Sequence, residues 1–422
     1  MRIKGRCIRI SQIVLVGIFI TMALVARDIQ NINISKYVFL VLVLIPICFA
    51  KIEALTIFMG FIIPLYVGLP GNLISVALLI RLIYAAFIGQ IRLEKKGFIL
   101  TLIISVYILF QNICTGYTEI YHLMAAMDFI VLYLLCSIVL QKNISREVII
   151  SYIMGVLVTG LVMLGATLDY YSIEELMNSA TRLGYTGMLL KNTGNSMATS
   201  IDPNFYAMNV IAAVSTGTLV INQKIKAKIL IVVAMIGSVI CCLIGLSRTF
   251  VIIIIIWAVL WGVSQGKLKR TVIALGLLGL VIAAFIYFFP TVTTGILDRF
   301  AENDVVGGNG RINLILMYYE PWQESLGTIL FGIGLFNCHT HCGPLLYLFG
   351  IGILGMIPLI LWFENYYYKC KSQIYGFKVK YWVPLFVTFC CFSSIPAAGA
   401  INYTFPLIIA ITALAIRARN GD

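Results

Sequence analysis

Apolar runs separated by short polar breaks repeat along almost the whole chain, and their length is the first structural signal. About 20 apolar residues in a helix cross the hydrocarbon of a bilayer, fewer where the helix is tilted or buried among neighbours. On that measure the pattern predicts helices near 8–26, 37–50, 52–69, 72–90, 98–113, 125–140 and 147–167. A second set is predicted near 203–222, 228–246, 249–264, 271–289, 344–363, 381–395 and 404–417. Two breaks are long, about 168–202 and about 290–343. Long loops between packed helices usually carry a task. The later one holds Ile312, Leu314, Leu316, Tyr318, Tyr319 and Trp322, an apolar and aromatic set expected to pack a short helix onto the membrane surface.

Composition narrows the class. With 422 residues, 61% hydrophobic and 11% charged, and a mean hydropathy of +1.01, a soluble domain around an ordinary core is excluded. The expected fold is all-α, a polytopic integral membrane protein of about 12–14 transmembrane helices forming one domain over 1–422. The first run follows Arg2, Lys4, Arg6 and Arg9, is too long for a signal h-region and lacks a small-x-small cleavage site. It reads as a retained helix.

A net charge of +13 would suggest nucleic acid in a soluble protein, but here the charges punctuate the spans. Starting from a cytoplasmic N-terminus, 22 of the 30 lysines and arginines fall inside, 7 outside, and Arg81 lies within a span. That bias matches the positive-inside rule and returns Arg417 and Arg419 to the cytoplasm. Both termini are therefore expected inside and the long loops outside. The eleven cysteines mostly lie in apolar runs, as small packing residues. Cys114, Cys338 and Cys342 fall near water on the outer side.

Outside, arginine replaces lysine as the dominant cation: Arg27, Arg182, Arg248, Arg299 and Arg311 against Lys36 and Lys191. A guanidinium grips phosphate oxygens in bidentate fashion, which an ammonium does not. Arg182 and Arg299 are either such phosphate ligands or partners of Asp169, Glu174, Asp298 and Asp304. Arg248 sits in a turn of almost no length between two apolar runs, where an unpaired arginine costs about 2.5–3.5 kcal/mol on insertion scales. It either finds an anion or snorkels to the headgroups. Arg81 needs a partner within the bundle, and Asp128 and Asp202 are candidates.

Two of the three histidines, His339 and His341, lie in the later loop beside Arg311; the third is His122. An imidazole with an ordinary pKa of about 6.5 accepts a proton from a hydroxyl near neutral pH. On chemistry alone the two loop histidines are equivalent, and both are open to the reading of hydrogen-bonded loop residues. The run Cys338-His339-Thr340-His341-Cys342 is too crowded for the usual paired spacing around a tetrahedral zinc. No metal is expected there, and a disulfide between Cys338 and Cys342 is an equally weak reading.

These residues resemble the O-antigen polymerase and O-antigen ligase superfamily. Its late motif is a histidine, ten intervening residues, a glycine, two residues and a small residue, which His341, Gly352 and Gly355 fit and His339 does not. Gly310-Arg311 and Phe331-Gly332-Ile333-Gly334 are similar to the family pattern before that histidine. Asp202-Pro203-Asn204 resembles its Asp-Pro-Asn helix start, and Ser247-Arg248 its Ser-Arg turn. The likeness covers about 200–360, the expected catalytic region. Cys342 departs from the Asn, Ser or Gln that ligases carry after the histidine, and Arg182 lies one residue too far from Gly194 for the paired arginine-to-glycine pattern that Arg299 and Gly310 meet.

The resemblance implies a GT-C-like membrane fold and an inverting, metal-independent glycosyltransferase without cofactor, on the outer face of the bacterial cytoplasmic membrane. Donor and acceptor would be undecaprenyl-diphosphate-linked oligosaccharides, with a chain-length regulator as a candidate protein partner. It implies that His341 takes the acceptor proton while Arg248 and Arg311 hold the diphosphate. Arg182, Arg299, Asp202, Asn204 and His339 are then the candidate substrate-binding residues. The expected activity is polymerisation of a surface polysaccharide repeat unit. Ligase-type transfer to a different acceptor and a lipid-linked oligosaccharide flippase are the alternatives.

Overall fold

The computed structural model describes residues 10–114, 120–168, 203–221, 228–244, 247–264, 311–371, 379–395 and 401–419, with isolated positions between 272 and 294. These residues are predominantly helical, and no strand occurs among them. The first half contributes α1 (Ile10–Asp28), α2 (Lys36–Phe49), α3 (Ile52–Ile62), α4 (Gly71–Phe87), α5 (Lys95–Cys114), α6 (Ile120–Lys142) and α7 (Ser145–Leu168). The second contributes α8 (Pro203–Ile221), α9 (Lys228–Ile244), α10 (Arg248–Ser264), α11 (Arg311–Gln323), α12 (Leu326–Phe331), α13 (Gly343–Lys371), α14 (Val383–Phe392) and α15 (Ile401–Thr412).

Among the described residues, four helices are long and apolar enough to cross a membrane: Leu123–Lys142, Ser145–Ala166, Asn204–Ile221 and Gly343–Lys371. Shorter apolar helices of 10–17 residues accompany them among the described residues. The cause is local. Pro46 lies inside α2, and Pro64 opens a 3-10 turn, Ile63–Gly68, that splits the expected run 52–69. The expected helix 271–289 falls almost wholly outside the described residues.

Helix α8 is the axis of the bundle. It is 89% buried and packs against α7, α9, α10, α14 and α15. Its sequence permits that crowding, since Ala207, Ala212, Ala213, Ser215 and Thr216 are small enough for neighbouring backbones to approach. The two hydroxyls bond back to the carbonyls of Ile211 and Ala212 at 2.6 Å each, so they pack as if apolar. Buried polar side chains pair between helices: Tyr152 Oη donates to Asn209 Oδ1 at 2.8 Å, and Trp362 Nε1 to Thr101 Oγ1 at 2.9 Å. Without water at that depth, an unmade bond would cost several kcal/mol.

Arg81 does not pair with Asp128, one of the two carboxylates expected of it. Its Nε donates to the Ile47 carbonyl at 3.1 Å and its Nη2 to the Ala50 carbonyl at 3.4 Å, the acceptors left over where α2 ends. Asp128 instead accepts from the Ile401 amide at 3.0 Å and caps α15. Asp202 lies outside the described residues. Arg27 is also committed, buried in a two-point contact with Asp28 at 2.6 and 2.7 Å and over the Phe39 ring.

Antiparallel packing gives the bundle two unlike ends. Where α5 begins and α13 finishes, Glu94 pairs with Lys369; Arg92 and the helix-end residues Lys95 and Lys371 lie nearby, and Lys142 pairs with Glu53 at 3.0 Å. At the opposite end α5 and α7 finish while α8, α10 and α13 begin. All the family-like motif residues among those described lie toward that end.

Candidate functional site

Three segments carry the candidate residues. The first two meet through one hydrogen bond. Ser247 caps α10 by accepting from the Phe250 amide at 3.2 Å, and its hydroxyl donates to Asn204 Oδ1 at 2.8 Å. Both side chains are buried, at 1% and 2% exposure, so the start of α8 and the start of α10 are held as one unit. Asn204, expected to bind substrate, thus lies in the core against Ser247. Arg248 is the first residue of α10, and Arg311 is the first residue of α11. Each arginine therefore follows the chain into a helix whose opening amides have no partner in the helix and carry its positive dipole end.

The third segment carries the histidines and is anchored by a broken helix. Within α13, Gly352 is not helical, with φ 65° and ψ −179°, so the helix divides into 343–351 and 353–371. The break frees the last carbonyls of the first piece, and the Phe331–Gly334 turn docks on them. Ile333 N donates to the Phe349 carbonyl at 2.9 Å and Gly334 N to the Gly350 carbonyl at 3.0 Å. Gly332, with φ 82°, faces Gly352 backbone to backbone, where a Cβ on either would overlap the other's strand of chain. From α5, Tyr107 Oη donates to the Ile351 carbonyl at 2.8 Å, and Gln111 Nε2 donates to the Phe331 carbonyl at 2.7 Å and to that of Gly350. Gly355 leaves room for the Tyr107 ring.

Beyond this junction the chain runs without regular secondary structure through Cys338–Cys342. Burial distinguishes the two histidines. Cys338 and Thr340 point inward with no exposure, His339 is exposed and His341 is half-buried. Burial pushes the Cys338 thiol up, against hydrogen bonds from Thr340 that lower it. Thr340 Oγ1 donates to the Cys342 carbonyl at 3.1 Å, and that carbonyl also accepts from the Leu346 amide as α13 begins. Cys338 and Cys342 are free thiols.

The short helix expected in the later loop is present as α11, and its aromatic residues lean on α13. Tyr319 and Trp322 contact the Phe349 ring at centroid distances of 6.1 and 5.3 Å. The later loop thus re-enters to the level of Gly350–Gly352. Phe392, ending α14, packs on Gly343 and stacks with Tyr347, while α14 itself packs on α8 and α10. Helix α14 therefore stands between the His341 turn and the Asn204–Ser247 unit. Arg182, Arg299 and Asp202 lie outside the described residues, as do the side chains of Arg248, Arg311 and His122.

An apolar cleft of about 480 Å³ opens beside the turn, between α13, α14 and α15. It begins at Pro344, three residues after His341, and continues past Met356 and Phe363 to Trp382 near the basic end. A second cavity of about 400 Å³ lies at the basic end, lined by Arg92, Glu94, Gln141, Asn365 and Lys369. Its polar groups largely satisfy one another: Tyr133 Oη bonds both main-chain groups of Glu94 at 2.9 Å, and Gln141 brackets Arg92 in the same way.

Sequence reading missed Tyr107 and Gln111. Their signal was weak, since Thr101, Ser105 and Asn112 also place hydrogen-bonding side chains on the same helix. No family model, curated protein or solved structure matches this chain.

Proposed function

We propose that this protein is a membrane glycosyltransferase that polymerises lipid-diphosphate-linked repeat units of a bacterial surface polysaccharide on the outer face of the cytoplasmic membrane. The observation that carries the reading is the Ser247–Asn204 bond, which joins two of the family-like motif segments at the end of the bundle where the third ends in His341. The apolar cleft starting at Pro344 supports it, because a polyprenyl chain needs an apolar channel next to a polar reaction centre.

In this reading the acceptor sugar hydroxyl attacks the anomeric carbon of the donor as the bond to the lipid diphosphate breaks. His341 takes the hydroxyl proton. Arg248 and Arg311, with the opening amides of their helices, neutralise the charge that grows on the departing diphosphate. A diphosphate leaving group needs neutralisation more than protonation, so a cationic site with one base suffices.

The test is purified protein given a lipid-diphosphate oligosaccharide, with and without chelator, and read by chain length on a gel. A ladder of multiples that survives chelation is expected. Recovery of unjoined substrate under conditions where the protein is folded would refute the reading, and ladders abolished by chelator would refute its metal independence. Transfer of finished chains to an added non-identical acceptor, without ladders, would replace polymerase by ligase. Movement of unjoined substrate across a vesicle wall would replace transferase by transporter.

A further inference from the structure

We infer that Gln111 and Tyr107, on α5, are positioning residues that set the place of His341 by clamping the break in α13. The inference rests on the proposed reaction for its kinetic consequence and on geometry alone for the clamp. Two main-chain segments meet here, Leu330–Gly334 of the re-entrant turn and Phe349–Gly352 at the break, with two side chains reaching across from α5. Gln111 Nε2 bridges the Phe331 and Gly350 carbonyls, so one amide group ties the turn to the helix piece. Tyr107 Oη bridges the Ile351 carbonyl at 2.8 Å and the Phe331 carbonyl at 3.2 Å in the same manner. Neither side chain is part of the turn or of α13, and their bonds span more than 200 positions of sequence.

His341 lies between the two clamped segments, seven residues after Gly334 and eight before Phe349. Both ends of that stretch are fixed to each other at the clamp, so the Cys338–Cys342 turn is a closed loop with a single base. Its own packing, Cys338 and Thr340 inward, orients the histidine within the loop. The clamp sets the loop's distance and tilt relative to α5. A general base must be held within roughly 0.5 Å of its working geometry. Loosening the base of the loop displaces His341 without touching substrate.

The experiment uses full-length protein in lipid nanodiscs and the variants Gln111→Leu, Tyr107→Phe and Thr101→Val. The last removes a bond between the same two helices at the far end from the loop, Trp362 Nε1 to Thr101 Oγ1. Two readouts are taken: the rate of alkylation of Cys338, mapped by peptide mass spectrometry, and kcat and KM for the lipid-linked donor. For Gln111→Leu the expectation is alkylation faster by about tenfold or more and kcat lower by about 10- to 100-fold, with donor KM within about twofold. Tyr107→Phe should show the same pattern at smaller size, which keeps the test alive if Gln111→Leu does not fold. Thr101→Val should leave Cys338 protected.

Cys338 protection unchanged in both clamp variants would overturn the clamp. Faster alkylation with unchanged kcat would overturn the positioning role, as would a loss appearing in KM alone. If the wild-type protein performs no transfer, the proposed reaction fails, and the alkylation series still decides whether the clamp holds the loop.

Discussion

Replacing Gly352 by alanine tests the architecture most directly. The glycine sits at φ 65° and ψ −179°, a region that residues with a Cβ essentially avoid, and occupying it costs about 1–3 kcal/mol. The added methyl would also meet the Leu330 carbonyl and the Gly332 amide, backbone atoms that no rotamer change can move. The chain can escape by continuing α13 as a regular helix through position 352. That escape removes the docking bonds from Ile333 N and Gly334 N, each contributing about 0.5–1.5 kcal/mol. Either route weakens docking of the turn by about 2–4 kcal/mol. At about 1.4 kcal/mol per decade, a loss near 3 kcal/mol raises the open population about 150-fold. Hydrogen–deuterium exchange in nanodiscs reads this at the amides of Ile333 and Gly334, with the α8 core as internal reference. Exchange at those two amides should accelerate by about two orders of magnitude while α8 is unchanged. Protection of both amides at wild-type levels in Gly352→Ala would refute the assignment of this glycine as the docking point.

Arg311→Ala or His341→Ala should leave expression intact and leave single repeat units where the wild type builds long chains, whereas His339→Ala should still polymerise; full-length polymer on a gel from either of the first two would sink the site assignment. Ser247→Ala removes the α10 cap and the bond to Asn204, and should lower stability by about 1–3 kcal/mol, read as a drop in thermal midpoint in detergent. The Cys338 thiol is held above the ordinary range by burial, so its alkylation rate should still be climbing with pH where an exposed thiol has levelled off. A half-maximal rate at about pH 8.5, the ordinary thiol value, would contradict that burial. One alanine inserted between Leu345 and Leu346 turns the loop end of α13 by about 100° against the clamp and moves it about 1.5 Å. Polymerisation should be lost while the Ile333 and Gly334 amides stay protected, and retained activity would show that the turn is not registered by the helix piece.

What sequence made legible follows from what hydrophobicity can encode. Apolar runs located the helices because length and polarity are written residue by residue, and the order Asn204, Ser247, His341 anticipated three segments at one end. The break at Gly352 was invisible for the same reason: the run 344–363 is apolar on both sides of it, and hydropathy says nothing about φ. Arg81 was sought among carboxylates, yet its acceptors are main-chain carbonyls at the end of α2, which have no sequence signature. The re-entrant docking of Phe331–Gly334 depends on pairing with Phe349 and Gly350, a non-local match that no window of sequence contains. Asn204 was singled out by its likeness to an Asp-Pro-Asn helix start, and its bond to Ser247, 43 positions away, is a non-local contact that the motif does not encode.

The motif spacing acquires a physical meaning from the break. Between His341 and Gly352 lie Cys342 and the nine residues 343–351, a helical piece of two and a half turns and about 13.5 Å. A histidine on a free loop would wander, and one placed within a long unbroken helix would face a fixed direction set by the whole span. A short piece clamped at its far end does something different. It fixes depth by its length and azimuth by its turn count, and in the proposed reaction it leaves half-buried His341 within reach of the acceptor sugar. Glycine at the break is then required for docking, and the small residue three positions later is required because Tyr107 must pass beside it to reach the Ile351 carbonyl. On this view the histidine supplies the chemistry and the two glycines supply its coordinates, which is why they are spaced by helix geometry and not by contact with one another.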